Sequence, residues 1–205
     1  MNPPALYTNF QFLRLDPSYH TLMVNEKVVA KQDLLSGFDL YQRKMTVFTY
    51  ALTGLRPDCD ILIWRMGPSL EDFQAMSCRL QTSGMGKYLL PAYSFLGTPS
   101  SPPTGQRARY LFVRLFAPPA GRRAQALDET LKAAARRPSL KVHVADSAGL
   151  DDQDHLLAFE TDEPRDYRDL SLELREPNAG AVPLKDSPSF ACILRDIRDI
   201  VDSFG

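Results

Sequence analysis

Two stretches far apart in this chain read alike: "GLRPDCDILIW", from Gly54 to Trp64, and "GLDDQDHLLAF", from Gly149 to Phe159. Each is a glycine–leucine turn, a polar run and an apolar strand, and a repeat of this length restricts the chain to tandem copies of one supersecondary unit. The surrounding hydrophobic periods agree. In the first half "LYTNFQFLRL" alternates as a strand and "NEKVVAKQDLLSGFDLY" has helical spacing, with Asn25 as the expected N-cap. "MTVFTYAL" and "DILIWRM" then read as two strands across "TGLRPDC". "SLEDFQAMSCRL" puts Leu70, Phe73, Met76 and Leu80 on one helical face behind a Ser69 cap, and "YLLPAYSFL" is a closing strand.

The second half runs in the same order: strand "RYLFVRLF", alanine-rich helix "GRRAQALDETLKAAARR", strands "SLKVHVA" and "HLLAFE", helix "PRDYRDLSLELR" and strand "PSFACIL". Pro164 belongs in the first turn of that last helix. The fold class is therefore α+β, two ferredoxin-like βαββαβ repeats. The halves are expected at residues 1–97 and 108–205, joined by a linker at 98–107 in which Pro99, Pro102 and Pro103 stand among small polar residues.

Several features need no chemistry. Asp151, Asp152 and Asp154 occupy the place of an ordinary hairpin turn, where carboxylates are solvated or bond their own backbone. Asp162 and Glu163 precede a helix, whose dipole favours them. Cys59, Cys78 and Cys192 are scattered and read as buried small hydrophobes. In "GMGKY" (Gly84 to Tyr88) a glycine is expected to supply the positive φ of a helix C-cap. His20 reads as a loop residue. His155 opens a strand beside His143, and a two-histidine metal site there would lack a readable third ligand. Ile193, Leu194, Ile197, Ile200 and Val201 have near-helical spacing, a stripe expected to cap the fold or meet a neighbouring copy.

A formal charge of −1 gives no reason to expect nucleic acid or an acidic membrane as partner. No apolar run approaches the ~20 residues of a membrane helix, and the first residues carry no signal-like pattern, so a cytoplasmic location is the expectation.

Beyond periodicity, "GLRPDCDILIWR", "TSGMGKYLLPAYSFL", "GLDDQDHLLAFETDEPRDYRDLSLELR" and "DSPSFACIL" resemble the chlorite dismutase-like superfamily, which includes chlorite dismutases and coproheme decarboxylases. The resemblance spans almost the whole chain. It implies a dimeric α+β barrel type of fold, a homo-oligomer (a pentamer in many members) and a heme in the C-terminal half. It also implies where chemistry should reside, and there this sequence departs. The heme-ligating histidine, in a segment like "MMxEHI", falls on Thr130 of "ALDETL". The glutamate bonded to that histidine, in a segment like "LRxTEAS", falls on Asn178 of "LREPNAG". The decarboxylase tyrosine of "YPFxK" falls on Arg114 of "RLFAP", and its lysine on Pro118. The distal arginine or glutamine falls on His143.

A threonine hydroxyl is a poor axial ligand beside imidazole, and a guanidinium supplies no tyrosyl radical. Ordinary chlorite dismutase and coproheme decarboxylase activities are both unexpected. Alternation in "LKVHVA" sets Leu140, Val142 and Val144 on one face and His143 on the other, where it could face a cavity as distal acid/base or iron ligand, or sit as a hydrogen-bonded core histidine. Two functional readings follow. One is a heme- or tetrapyrrole-binding, oxidoreductase-type protein with altered axial ligation through His143, or a carrier holding heme transiently. The other is a heme-free relative that keeps the fold as a binding or assembly module.

Overall fold

A computed structural model describes residues 6–118, 121–175 and 188–205. The chain forms two compact units, one of residues 1–96 with 195–205, the other of residues 97–194.

In the first unit β1 (Tyr7–Leu15), β2 (Thr46–Ala51), β3 (Ile61–Gly67) and β4 (Leu89–Pro99) lie in the order β4-β1-β3-β2, with β1 and β2 both antiparallel to β3. That is the ferredoxin-like order. Strand β4 runs to Pro99, so regular structure enters the stretch expected to be linker. Helix α1 (Val24–Tyr41) buries Ala30, Leu34, Phe38 and Tyr41, spaced by three and four, against the sheet. Burying a leucine or phenylalanine in this way contributes about 1.5–3 kcal/mol each. Its N-cap is Met23, not Asn25: the Glu26 carboxylate reaches back to accept the Met23 N–H at 2.8 Å, which moves the start of the helix two residues earlier. Helix α2 (Leu70–Gln81) starts as expected, Ser69 Oγ accepting from Asp72 N at 3.1 Å, and buries Phe73, Met76 and Leu80; Leu70 stays at the surface.

Gly84 and Gly86 do not act as left-handed caps. Positive φ occurs elsewhere, including Gly54 and Gly149 in the two repeated turns. Gly84 and Gly86 are required by close approach instead. A Cβ on Gly84 would lie 2.8 Å from Ala30 Cα, and one on Gly86 only 1.6 Å from the Leu80 carbonyl oxygen.

The second unit repeats the plan: β5 (Tyr110–Phe116), α3 (Arg123–Ala135), β6 (Lys141–Asp146), β7 (His155–Thr161), α4 (Pro164–Glu173) and β8 (Ser189–Leu194), with strand order β8-β5-β7-β6. Leu157, Phe159, Phe116 and Leu140 meet Ala126, Ala133, Ala134, Tyr167, Leu170 and Leu174 in one apolar cluster between sheet and helices.

The C-terminal stripe divides. Ile193 and Leu194 end β8, whereas Ile197, Ile200 and Val201 of α5 (Ile197–Asp202) are buried in the core of the first unit. Asp196 breaks the helical period between them by capping α5 through Arg198 N. Of the cysteines, Cys59 and Cys192 are buried and Cys78 is exposed.

The two hairpins differ by one residue. Ala51 pairs with Ile61, and Asp146 with His155, so the loop after Gly54 is one residue longer than the loop after Gly149. Aligned from the glycines, the strands therefore show opposite faces: Ile61 and Ile63 join the helix-side core of their unit, as do Leu157 and Phe159 of theirs. Counted by register, Arg65 occupies the place that Phe159 holds in the second unit. Its buried guanidinium donates to Asn9 Oδ1, to the Phe73 carbonyl at 3.0 Å and to Ser77 Oγ at 2.8 Å, and burial lowers its pKa to about 10.

Candidate functional site

The residues singled out by the sequence lie on two faces of the second unit's sheet. Strand register separates them: Arg114 and Val144 both pair with Leu157, whereas His143 and Val113 both pair with Ala158. Leu157 belongs to the cluster beneath α3 and α4. Arg114 therefore faces the helices, and His143 points the other way.

On the helix side, Thr130 is fully buried on the α3 face formed with Ala126, Ala133 and Ala134. Its hydroxyl donates to the Ala126 carbonyl at 2.8 Å, one turn back on its own helix. This leaves a buried alcohol oxygen, committed to the backbone, where the resemblance implies an iron ligand. Asn178, implied as the partner of that ligand, lies outside the described residues. Among the described residues no group of three or more His, Cys, Asp or Glu is arranged to hold a metal ion.

Arg114, 3% exposed, is held by hydroxyls: Nε donates to Tyr167 Oη at 2.8 Å and Nη2 to Ser171 Oγ at 2.7 Å. Tyr167 stacks on Phe112, the ring centroids 4.0 Å apart and the planes 8° from parallel. Burial raises the phenol's pKa, while the Arg114 guanidinium pulls it the other way. Beside this group a groove of about 530 Å³ runs along α4, its walls carrying Arg114, Arg165, Arg168 and Arg175.

On the opposite face, His143 joins a buried ionic cluster. Its Nε2 lies 2.9 Å from Glu160 Oε2 and 2.9 Å from Arg107 Nη2. Glu160 is fully buried and also accepts from Arg107 Nε at 2.9 Å, from Arg107 Nη2 and from the Ala108 N–H. Burial, followed by the Arg107 charge, pushes the His143 pKa down to about 4, so the ring is neutral at pH 7.

His155 does not meet His143. It pairs with Asp146, three residues along β6 from His143, and three residues reverse the face. It stacks against Phe116 near Arg123, and burial followed by the Arg123 charge lowers its pKa. His20 lies exposed in a 3-10 turn over Pro17–Thr21. The turn aspartates do structural work: Asp151 accepts from Asp152 N, and Asp154 approaches Arg123. Asp162 accepts from Arg109 N at 2.7 Å.

Sequence reasoning overlooked Glu160 and Arg107. Glu160 ends an apolar strand and resembles a solvated terminus, and Arg107 closes a stretch read as linker. Alternation offered a signal, since Leu156, Ala158 and Glu160 share a face, and pairing across the hairpin sets that face alongside His143.

With this geometry in hand, comparisons with known proteins are direct. The family model for chlorite dismutase matches residues 25–108 and again residues 103–195. A mutant chlorite dismutase from Candidatus Nitrospira defluvii is similar over 99% of this chain and 97% of its own, with 19% identity and a TM-score of 0.87. The imidazole complex of the enzyme from the same organism is similar over 97% and 94%, at 18% identity and a TM-score of 0.83. A protein described as a novel heme-binding protein from Thermus thermophilus is similar over 98% and 94%, with 16% identity and a TM-score of 0.81. At such identities the structures share a fold, and chemistry must be argued from the site. Because the family model covers most of the chain, in both of its repeated halves, this protein belongs to the chlorite dismutase family.

Proposed function

We propose that this family member is a binding module that does not hold heme iron through a protein ligand. The observation that supports this is Thr130: fully buried, its hydroxyl given to the Ala126 carbonyl, among the buried alanines Ala126, Ala133 and Ala134 of its helix. A neutral alcohol in that setting does not fit an iron centre that needs imidazole, thiolate or an anionic oxygen. His143, the substitute ligand that the resemblance offered, faces away from α3 and α4 and contacts Glu160 and Arg107. Taking the imidazole out of that cluster would break its contacts with both Glu160 and Arg107.

The competing reading, a heme- or tetrapyrrole-binding protein of oxidoreductase type, draws on the heme-binding protein that shares the fold. One experiment separates them. Purified protein is titrated with hemin and the Soret band followed, for the parent, His143→Ala and Thr130→Ala. The binding-module reading expects no stoichiometric Soret shift in any of the three, and no chlorite decomposition by the hemin-treated protein. A stoichiometric shift in the parent that His143→Ala abolishes would establish altered axial ligation and overturn the proposal.

A further inference from the structure

Helix α1 opens with residues that neither its own stability nor the core explains. Met23, Val24, Val28 and Val29 are all exposed, Val24 by 79%, whereas the other exposed large hydrophobics of the first unit, Leu40, Leu55, Leu70 and Leu90, stand apart in sequence. Valine is a poorer helix former than leucine, lysine or glutamate, because its branched Cβ loses rotamer freedom against the preceding turn. Met23 is the N-cap without a side-chain cap bond, a position that favours serine, threonine, asparagine or aspartate. All four residues thus weaken the helix start locally and hold apolar surface in water. Together they leave about 400 Å² open, as much as the largest apolar patch of an ordinary monomer, commonly an interaction site.

The shape and charge of the patch point to what covers it. Val24 and Val28, four residues apart, form a ridge on one side of Asn25. On the other side lies a groove of about 380 Å³, its apolar lining supplied by Leu22, Val29, Ala30 and Gly84. Gly84 lies against Ala30 and puts no side chain into it. A ridge and a hollow flanking one position meet the requirement of an isologous contact. A twofold axis beside Asn25 carries the ridge of each copy into the groove of the other. The charged groups of the lining, Glu26 and Lys87, balance. The groove therefore has no net charge to attract an anionic membrane, and two copies meet there without repulsion. Covering ridge and groove in both copies buries about 1,100 Å² in total, the lower edge of specific interfaces, which suits a reversible dimer.

We infer that a second copy of this chain docks on the α1 patch, forming a twofold dimer in which Val24 and Val28 of each copy occupy the groove of the other. The inference concerns the first unit alone and does not depend on the reading of Thr130, which the hemin titration tests separately.

Sedimentation velocity of the full chain reads the association. The weight-average mass should rise with concentration from the 23.0 kDa of one chain, with half-association at about 10–100 µM. Val28→Glu, at a surface position, should keep the parent's far-ultraviolet circular dichroism spectrum and weaken association at least about tenfold, because a carboxylate would lose water in the groove. If the parent also assembles through other surfaces, Val28→Glu should still lower its mass. A second arm applies even if Val28→Glu misfolds. Asn25→Cys in a Cys78→Ser background should form an interchain disulfide under mild oxidation, and Cys78→Ser alone should not, since Cys59 and Cys192 are buried. A parent monomeric up to about 200 µM, parental association in folded Val28→Glu, or absence of the Asn25→Cys crosslink would each overturn the inference. So would flotation of a monomeric parent with phosphatidylglycerol vesicles that Val28→Glu abolishes, which would assign the patch to a membrane surface.

Discussion

Replacing Glu160 by leucine tests whether the Arg107–Glu160–His143 cluster is a true buried ion network. The carboxylate is fully buried and accepts from Arg107 Nε, Arg107 Nη2 and the Ala108 N–H, with His143 Nε2 also within 2.9 Å. In Glu160→Leu the Arg107 side chain, 10% exposed, would lose its counter-charge, and a buried amide its acceptor. Removing one partner of a buried pair costs about 3–5 kcal/mol, and an unsatisfied buried donor alone about 1–3 kcal/mol within that total. For a chain of 205 residues, each kcal/mol lowers the melting temperature by about 2–4 °C, so a fall of roughly 6–20 °C is expected. Thermal unfolding followed by far-ultraviolet circular dichroism reads it. The double variant Arg107→Leu/Glu160→Leu supplies the control. With no charge left unpaired it should recover the part of the loss due to the stranded guanidinium, because removing a whole buried pair is often neutral, while the Ala108 N–H stays without its acceptor. A single-variant loss below about 1 kcal/mol, the range of surface pairs, would refute the reasoning. So would a double variant as unstable as the single.

Other expectations follow from the same geometry. The His143 pKa is about 4 in the folded protein against about 6.5 when unfolded, so the unfolded chain binds the extra proton first as pH falls. This contribution is fully present above pH 6.5 and is lost between about 6.5 and 4, up to about 3 kcal/mol. Urea midpoints measured across that range should fall more steeply for the parent than for His143→Gln, and parallel profiles would exclude the effect. Gly86→Ala should cost about 3 kcal/mol or more, since its Cβ would meet the Leu80 carbonyl at 1.6 Å. Gly54→Ala, at φ +77° with nothing within 4 Å, should cost only the left-handed penalty of about 1–2 kcal/mol, and the difference in urea midpoints checks the ordering.

Most of the fold was legible because hydrophobic period and turn glycines survive in both halves. Leu34, Phe38 and Tyr41 repeat at helical spacing, and the alternation across β6 places Val142 and Val144 opposite His143 without any structure. What escaped depends on information that no local window contains. The Met23 cap needed Glu26 to reach backwards, and Gly86 is glycine because a carbonyl from α2 passes over it. The same holds for the site. Thr130 and Arg114 were found by comparison with a pattern, but their committed hydrogen bonds to Ala126, Tyr167 and Ser171 are tertiary facts. Alternation places His143 opposite Val142 and Val144, yet which groups share its face depends on Arg107 arriving from a stretch with no period at all.

The extra residue in the first hairpin loop bears on how the two halves have been able to diverge. Duplicated segments exchange sequence by recombination only while an exchange leaves both copies foldable. Here a crossover within the hairpin, guided by the shared glycine and leucine, would deliver each strand one residue out of step and turn it over. Ile61 and Ile63 would leave the core beneath the helices, and Leu62 and Trp64 would take their places. A single inserted residue thus isolates the copies from mutual correction, freeing one to keep Arg65 in its interior and the other to assemble a carboxylate, an imidazole and a guanidinium on the reverse of its sheet.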